Sequence, residues 1–512
     1  MNHPWMRSAS AGAVVAAAAI TNAACVTSHV QADRAPETAS KASAHRAHAE
    51  AISVPAGYQV EAVATGLTAP VAVAFDDAGH VYVLEAGGTY EGASPPRLLE
   101  IGEAGALKAV ATGTPVSKSG RGAPVRGGGG APWTGVTWYE GAFYVAASGA
   151  REGGGQILRV TPEGSITPIV AELPTLGDHR ASGPVIGPDG LLYFGIGSAT
   201  NAGVVGADNV ERGWVRRFPS FHDVACKNLV LMGDNYRTPN TLTRKPGSES
   251  ITGGLVAFGE RVDSGEKIEG KLPCTGAILR VPPTGGRPEL VAWGFRDPFG
   301  LAFTPEGRLV ATDTGMEPRG SRPVQNAPDV LWMIEEGRWY GFPDFAAGEP
   351  VWHPAGGALD RPPRLLATHP DTPPMPAVRF GLRSSPGRLD FSRSESFGYV
   401  GEAFVAQAGD PELKAGVQVV RVALDTGVVT PFAVNRAGPL PASQGEGGGL
   451  ERPVDARFDP RGEALYVVDV GLLEGAEHKP VKGSGVLWRV THTKPARAAH
   501  DKTPAVHEAR RR

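Results

Sequence analysis

The sequence predicts an all-β fold, a six-bladed β-propeller with four-stranded antiparallel blades, and three observations carry that expectation. The first is internal similarity. The stretches "APVAVAFDDAGHVYVLEAGG" (69–88), "WTGVTWYEGAFYVAASG" (133–149), "SGPVIGPDGLLYFGIGS" (182–198), "PFGLAFTPEGRLVATDTG" (298–315) and "PVDARFDPRGEALYVVDVG" (453–471) share one pattern. Each is an apolar strand, a turn built on Asp, Glu or Gly, and a second apolar strand ending at glycine; such turn residues supply the positive φ a tight hairpin needs. The second is the strand pair that follows most copies: "RLLEIGEAGALKAVATG", "ILRVTPEGSITPIVAELP", "ILRVPPTGGRPELVAWG" and "VVRVALDTGVVTPFAV". The third is composition: 69 Gly and 45 Pro without a collagen period, and no long amphipathic helical run, point to many turns between short strands. A degenerate further copy lies at 386–409, which brings the units to six, the spacing of a propeller.

The chain is read in order as follows. Residues 1–25 combine a short basic start with the small apolar run "SAGAVVAAAAITNAA", the size of a signal peptide and too short for a comfortable membrane span. Export to the periplasm or the exterior is the expectation; Cys25, ending "TNAAC", weakly matches a lipoprotein cleavage box, and only its lipidation would bring the protein to a membrane. Residues 26–54 read as a linker and 494–512 as a disordered tail. The propeller is expected over 55–493. Its last strand, "VLWRVTHT" (486–493), lacks a following partner and is expected to close the ring against "YQVEAVATGL" (58–67). An excess at about 204–275 is too long for a connection and is expected as an excursion between blades three and four.

Bulk properties narrow the function. With 41% hydrophobic residues a large core can form, and a net charge of −3 excludes a general nucleic-acid binder. Three cysteines without a Cys-x-x-Cys pair exclude a zinc ribbon and a covalently attached c-type haem. In an oxidising compartment Cys226 and Cys274 are expected to pair across the excursion.

Candidate chemistry sits at the heads of strands, where loops face the mouth of a propeller channel. His179 precedes the first strand of its blade, and a neutral imidazole can take a proton from a hydroxyl near neutral pH. Arg296 stands at the matching position one blade on, either as a fork of donors toward the channel or as a structural pair with Asp297. Gly315, in "DTGME", lets main-chain carbonyls turn outward as hard oxygen ligands suited to calcium. Lys414 and Arg452 precede late strands; each is a surface charge or, with Arg296, part of a cationic rim for a small polyanion.

The segments "DHRASGPVIGPDGLLYFGIG", "GFRDPFGLAFTPEG", "ELKAGVQVVRV" and "ERPVDARFDPRGEALYVVD" resemble the soluble pyrroloquinoline-quinone-dependent glucose/sorbosone dehydrogenase family over roughly residues 55–492, nearest its sorbosone-dehydrogenase-like branch. The resemblance implies oxidation of an aldose or related aldehyde or hemiacetal, with bound pyrroloquinoline quinone and Ca2+ as cofactors and a separate electron acceptor. It puts His179 on the catalytic base, Arg296, Asp297, Lys414 and Arg452 on quinone-binding positions, and Gly315 with Met316 on the calcium ligands. The chain departs from the family at four points. Ser198 stands where an aspartate orients the histidine, Asp297 replaces an asparagine, Leu450 replaces a late arginine, and "GGGG" (127–130) offers no glutamine for a sugar.

Two other readings remain open. A calcium-dependent lactonase would gather Asp297, Asp313 and Asp329 around one metal, and a propeller that has lost its cofactor would bind a carbohydrate or a protein.

Overall fold

Short apolar runs set between turns produce the strands: the first strand of blade one, Pro70–Phe75, carries "PVAVAF" almost entirely buried, and its partner Val81–Glu85 follows after a turn at Asp76. The computed structural model describes residues 47–493 except 89–93, 116–129, 131, 150–152, 244, 353–361, 411–415, 446–447 and 476–478. Six blades result. Blade one adds Arg97–Ile101 and Leu107–Thr112; blade two is Trp133–Tyr139, Ala142–Ala147, Gly155–Val160 and Ile166–Leu173. Blade three is Ala181–Ile186, Leu192–Ile196, Ala277–Val281 and Glu289–Trp293; blade four is Pro298–Phe303, Leu309–Asp313, Val330–Met333 and the two-residue Val378–Arg379. Blade five is Pro386–Phe391, Ala403–Gln407, Gln418–Ala423 and Val428–Asn435.

Blade six closes the ring as the sequence predicts. Pro453–Phe458, Ala464–Asp469 and Gly485–His492 take their fourth strand from Tyr58–Leu67, in a register that pairs Tyr58 with His492 and Leu67 with Gly485. Joining the two ends of the chain in one sheet removes the free edges that an open array would expose.

Two boundaries differ from expectation. The excursion interrupts blade three between its second and third strands instead of separating blades three and four, because the outer strands Ala277–Val281 and Glu289–Trp293 return to the sheet after it. It consists of the short helices Ala207–Glu211 and Trp214–Arg217 and two small two-stranded sheets, one nested in sequence within the other, with Cys226 and Cys274 joined as a disulfide. Within the span read as linker, Ile52–Ser53 adds a fifth strand to blade five by pairing with Asn435 and Val434. The signal-peptide and Cys25 readings and the tail at 494–512 lie outside the described residues. Among the described residues no helix is long and apolar enough to cross a membrane.

The core is a set of apolar layers between adjacent blades. Between blades five and six, Phe397, Phe404, Phe432, Phe458 and Trp488 are buried together, with the Phe404 ring 4.8 Å from Phe432 and 5.3 Å from Phe458. Burial of each such side chain stabilises by about 1.5–3 kcal/mol, before any gain from ring geometry.

The first strands of neighbouring blades pack side by side, so six of them ring the axis and their alternate residues face the channel. At its waist Arg388 of blade five reaches three other blades. It donates through Nη1 to the Val71 carbonyl at 2.9 Å and through Nη2 to that of Thr134, and stacks over Phe299 at 4.5 Å. Burial pulls its guanidinium down to about 10. The loops that lead into the first strands gather at one mouth, and the far ends of those strands form the other.

Candidate active site

His179 sits two residues before the first strand of blade three, with its backbone N–H on the Ser198 carbonyl at 3.2 Å. Gly197 makes room for it: a Cβ there would lie 2.2 Å from the His179 Cβ, so the glycine of "GIGSAT" is required by close approach. The imidazole is nearly enclosed, with its side chain 12% exposed. Its Nδ1 lies 3.3 Å from Asp297 Oδ2, and its Nε2 is buried without a hydrogen-bond partner. A histidine held at one nitrogen by a carboxylate and free at the other is the arrangement of a general base.

Asp297 therefore supplies the carboxylate beside the imidazole, where the family resemblance looks to the position of Ser198. Ser198 is fully buried and donates its hydroxyl to the Thr200 carbonyl at 2.7 Å, away from the imidazole. Burial pushes the Asp297 carboxyl up, but His179, Arg296 and the Thr314 hydroxyl outweigh it and hold the group below its ordinary value. Its backbone N–H donates to Asp313 Oδ1 at 2.6 Å, which fixes the turn. Asp178, the histidine's sequence neighbour, points elsewhere and pairs with Arg319 at 2.7 Å.

Arg296 is buried and anchored across the loops. It donates through Nε to the Asn201 carbonyl at 3.1 Å, through Nη2 to Asn201 Oδ1 at 2.9 Å, and through Nη1 to the Thr314 hydroxyl at 2.9 Å. Glu317 lies 3.6 Å from Nη2. Instead of the direct pair with Asp297 that was one of two readings, Arg296 and Asp297 share Thr314, whose hydroxyl reaches Asp297 Oδ2 at 3.4 Å. Gly315 follows Thr314, with its N–H on Asp329 Oδ1 at 2.8 Å. A Cβ at Gly315 would come within 2.1 Å of the Ala327 carbonyl oxygen, so only glycine fits. With Met316 it borders a recess beneath Arg296, walled by Trp332, Tyr340 and Phe342. The Met316 side chain is buried against Ala202, Val324 and Ala327, which leaves its main chain as the part that can hold a cation.

Arg452 heads the first strand of blade six. Its backbone is fixed by Asp469 at 2.8 Å, and its Nε is buried without a partner. Leu450 is 1% exposed in the apolar layer between blades five and six, with both its N–H and its carbonyl held by Asn435. It is a core residue and replaces no channel arginine. Lys414 lies outside the described residues, as do 127–129 of the glycine run.

Arg319, which sequence reasoning missed, ties the site to the excursion. It contacts Asp178 at 2.7 Å, Asp208 of the first excursion helix at 2.6 Å, and Glu317 through Nε. Asn201 was missed too. Nothing in the spacing marks either, because both act through loops far apart in sequence.

The lactonase arrangement is not formed. Asp313 spends its oxygens on the Asp297 N–H and the Trp332 indole, and Asp329 spends its own on Gly315, Ser384 and Ser385. Among the described residues no three His, Cys, Asp or Glu side chains gather as a metal-binding group.

No protein-family profile matches the chain, and no curated protein does. Solved structures do. A putative oxidoreductase (glucose dehydrogenase) from Thermus thermophilus is 20% identical with a TM-score of 0.49, over 85% of this chain and 100% of its own. The pyrroloquinoline-quinone-bound aldose sugar dehydrogenase of Streptomyces coelicolor is 16% identical with a TM-score of 0.46, over 86% and 99%. A gluconolactonase from Xanthomonas campestris is 13% identical with a TM-score of 0.39, over 86% and 91%. At these values no residue role passes from them to this chain.

Proposed function

We propose that the protein is an exported quinoprotein that oxidises an aldose or related hemiacetal. The observation that carries the reading is the buried His179–Asp297 pair, whose Nε2 has no partner among the described residues. Nε2 takes the proton from the hydroxyl on the carbon being oxidised. Asp297 keeps the ring in one orientation and stabilises the imidazolium that forms, the work of a charged partner that serine could not do. Its depressed carboxyl value suits that role, since the group stays anionic through the neutral range.

The residues present also fit the cofactors that the sequence resemblance implies. Arg452 offers a buried, unpartnered Nε to an anionic group, and Arg296 is held rigid beside the histidine's carboxylate by Asn201 and Thr314. The main chain of Gly315 and Met316 would hold Ca2+. Pyrroloquinoline quinone, when bound, would supply the two-electron acceptor chemistry, with a separate electron acceptor as its partner. Enclosure of His179 limits water at the reacting centre.

The test is oxidation of a sugar panel with an artificial electron acceptor by quinone- and calcium-loaded protein. His179→Ala is expected to lose about 10²–10⁴-fold in kcat. Equal turnover by the variant, or none by the wild type on any aldose, would overturn the reading.

A further inference from the structure

The excursion holds the histidine loop of blade three at two points. The first is the backbone. Buried Asp223 accepts the Ala199 N–H at 2.6 Å and the hydroxyls of Thr200 and of Thr275, the residue after Cys274. That fixes the segment whose Ser198 and Ala199 carbonyls accept the N–H groups of His179 and Asp178. The two stretches are pressed together, since a Cβ at Gly177 would lie 2.4 Å from the Ala199 carbonyl oxygen. The second point is a side chain. Asp178, directly before His179, pairs with Arg319, and Arg319 pairs with Asp208 of the excursion helix Ala207–Glu211.

Arg319 uses all three of its nitrogens. Nη2 goes to Asp178 at 2.7 Å, Nη1 to Asp208 at 2.6 Å and Nε to Glu317. Glu317 leads to the other half of the catalytic pair. Its carboxylate lies 3.6 Å from Arg296, and its N–H and Arg296 Nη2 donate to the same Asn201 Oδ1, each at 2.9 Å. Asn201 Nδ2 closes the circuit on the Glu317 and Arg319 carbonyls at 2.8 and 3.1 Å. Arg296 shares Thr314 with Asp297, and Asp297 stands beside the imidazole. One guanidinium therefore joins the residue before His179 to the contacts that end at the carboxylate partner of His179. Its charge matters as much as its reach. The Asp178 side chain is 1% exposed and that of Asp208 15%. Burial and the Asp178 charge push the Asp208 carboxyl up, so the two acids repel and the cation between them draws them together. Arg212 lies 3.8 Å from the other Asp178 oxygen, half exposed and too far for a hydrogen bond. An uncharged side chain at 319 leaves two buried acids facing each other, and separating them moves the loop that carries His179.

We propose that Arg319 is a positioning residue for the His179–Asp297 pair, and that through it the excursion is a working part of the active site. The inference deepens the reading of His179 as the base and rests on it. Arg319 reaches the pair through Asp178 on one side and through Glu317 and Arg296 on the other, and so sets how the imidazole and its carboxylate meet. A misplacement of about 1 Å at such a pair costs about 10²-fold in rate.

The test compares the full-length wild type with Arg319→Gln, Arg319→Lys and Asp208→Asn. In protein labelled at histidine, the His179 ring signal in the magnetic resonance spectrum, assigned with His179→Ala, reports the surroundings of the imidazole without need of turnover. Arg319→Gln is expected to move that signal and, in quinone- and calcium-loaded protein, to lower kcat about 10- to 100-fold with KM within about threefold. Arg319→Lys keeps the charge and should recover part of both. Asp208→Asn weakens only the hold of the excursion and should move the signal less, in the same direction. In the Asp297→Asn background, Arg319→Gln should cost less than about threefold more, because the orientation it supports is already lost; a general loss of structure would multiply through. An unmoved His179 signal in folded Arg319→Gln protein, or full multiplication of the two losses, would overturn the proposal. An unmoved signal in Asp208→Asn would overturn the part given to the excursion. Should Arg319→Gln not fold, Arg319→Lys and Asp208→Asn carry the same readings. A wild type that oxidises no aldose would sink the reading of the reaction, and the His179 signal would still decide whether Arg319 positions the ring.

Discussion

Replacing Asp297 by asparagine keeps the shape beside His179 and removes the charge. At 3.3 Å a full charge pair is worth about 5 kcal/mol at an effective dielectric of 20 and about 1.3 kcal/mol in bulk water. The two side chains are only 12% and 16% exposed, so the value lies between these limits and toward the first. In the proposed reaction that charge stabilises the imidazolium as it forms, so about 2–4 kcal/mol of transition-state stabilisation is at stake, a drop of roughly 30- to 1000-fold in kcat. Steady-state oxidation by loaded protein with an artificial acceptor measures it, with Ser198→Ala as the comparison. Ser198 bonds Thr200 and leaves the imidazole alone, so its variant should stay within about threefold of wild type. Asp297→Asn activity within threefold of wild type, or an equal fall in Ser198→Ala, would refute the assignment of Asp297 as the orienting group.

Three further outcomes follow from the same structure. Replacing Cys226 and Cys274 by alanine frees a 48-residue separation, and the chain-entropy account sets the loss at about 4 kcal/mol; a lower Tm and faster proteolysis within 204–275 are expected, and an unchanged digestion pattern would contradict it. Leu450→Arg should destabilise the protein by more than about 3 kcal/mol by urea unfolding and give no gain in quinone affinity, because the position is buried among aromatics. On the blade-one hairpin, Asp76 raises the His80 imidazole above its ordinary value through a 2.7 Å hydrogen bond and its charge. A raised folded value means that this stabilisation is complete below the unfolded histidine value and fades as pH rises through the folded one. His80→Gln should therefore lower Tm at about pH 5.5 and match wild type at about pH 9.

Much of the fold was legible because the repeat writes its own period. Hairpins such as "VAVAFDDAGHVYVLE" state strand, turn and strand directly, and the unpartnered "VLWRVTHT" implied ring closure by the N-terminal strand, which the Tyr58–His492 register bears out. The excursion was visible as surplus length, but its place inside blade three was not. Only the pairing of Leu192–Ile196 with Ala277–Val281 across it shows which strands it separates.

The site was legible residue by residue and not as a network. His179 and Arg296 were found from their shared position ahead of a first strand. The contact between Asp297 and the imidazole was not, since the motif resemblance marked Asp297 only as a cofactor neighbour, whereas the turn fixed by Asp313 sets its carboxylate 3.3 Å from His179 Nδ1. Leu450 shows the same limit. In sequence it looked like a lost arginine, and only packing against blades five and six reveals an apolar position. Arg319 and Asn201 join loops more than a hundred residues apart, contacts that no local pattern encodes.

The most direct test of the central proposal is a titration of metal-stripped protein with pyrroloquinoline quinone, with and without Ca2+, followed by absorbance. The account predicts stoichiometric, calcium-dependent binding that is weakened by Arg452→Gln and kept by His179→Ala. No binding at micromolar quinone in the presence of Ca2+ would contradict it.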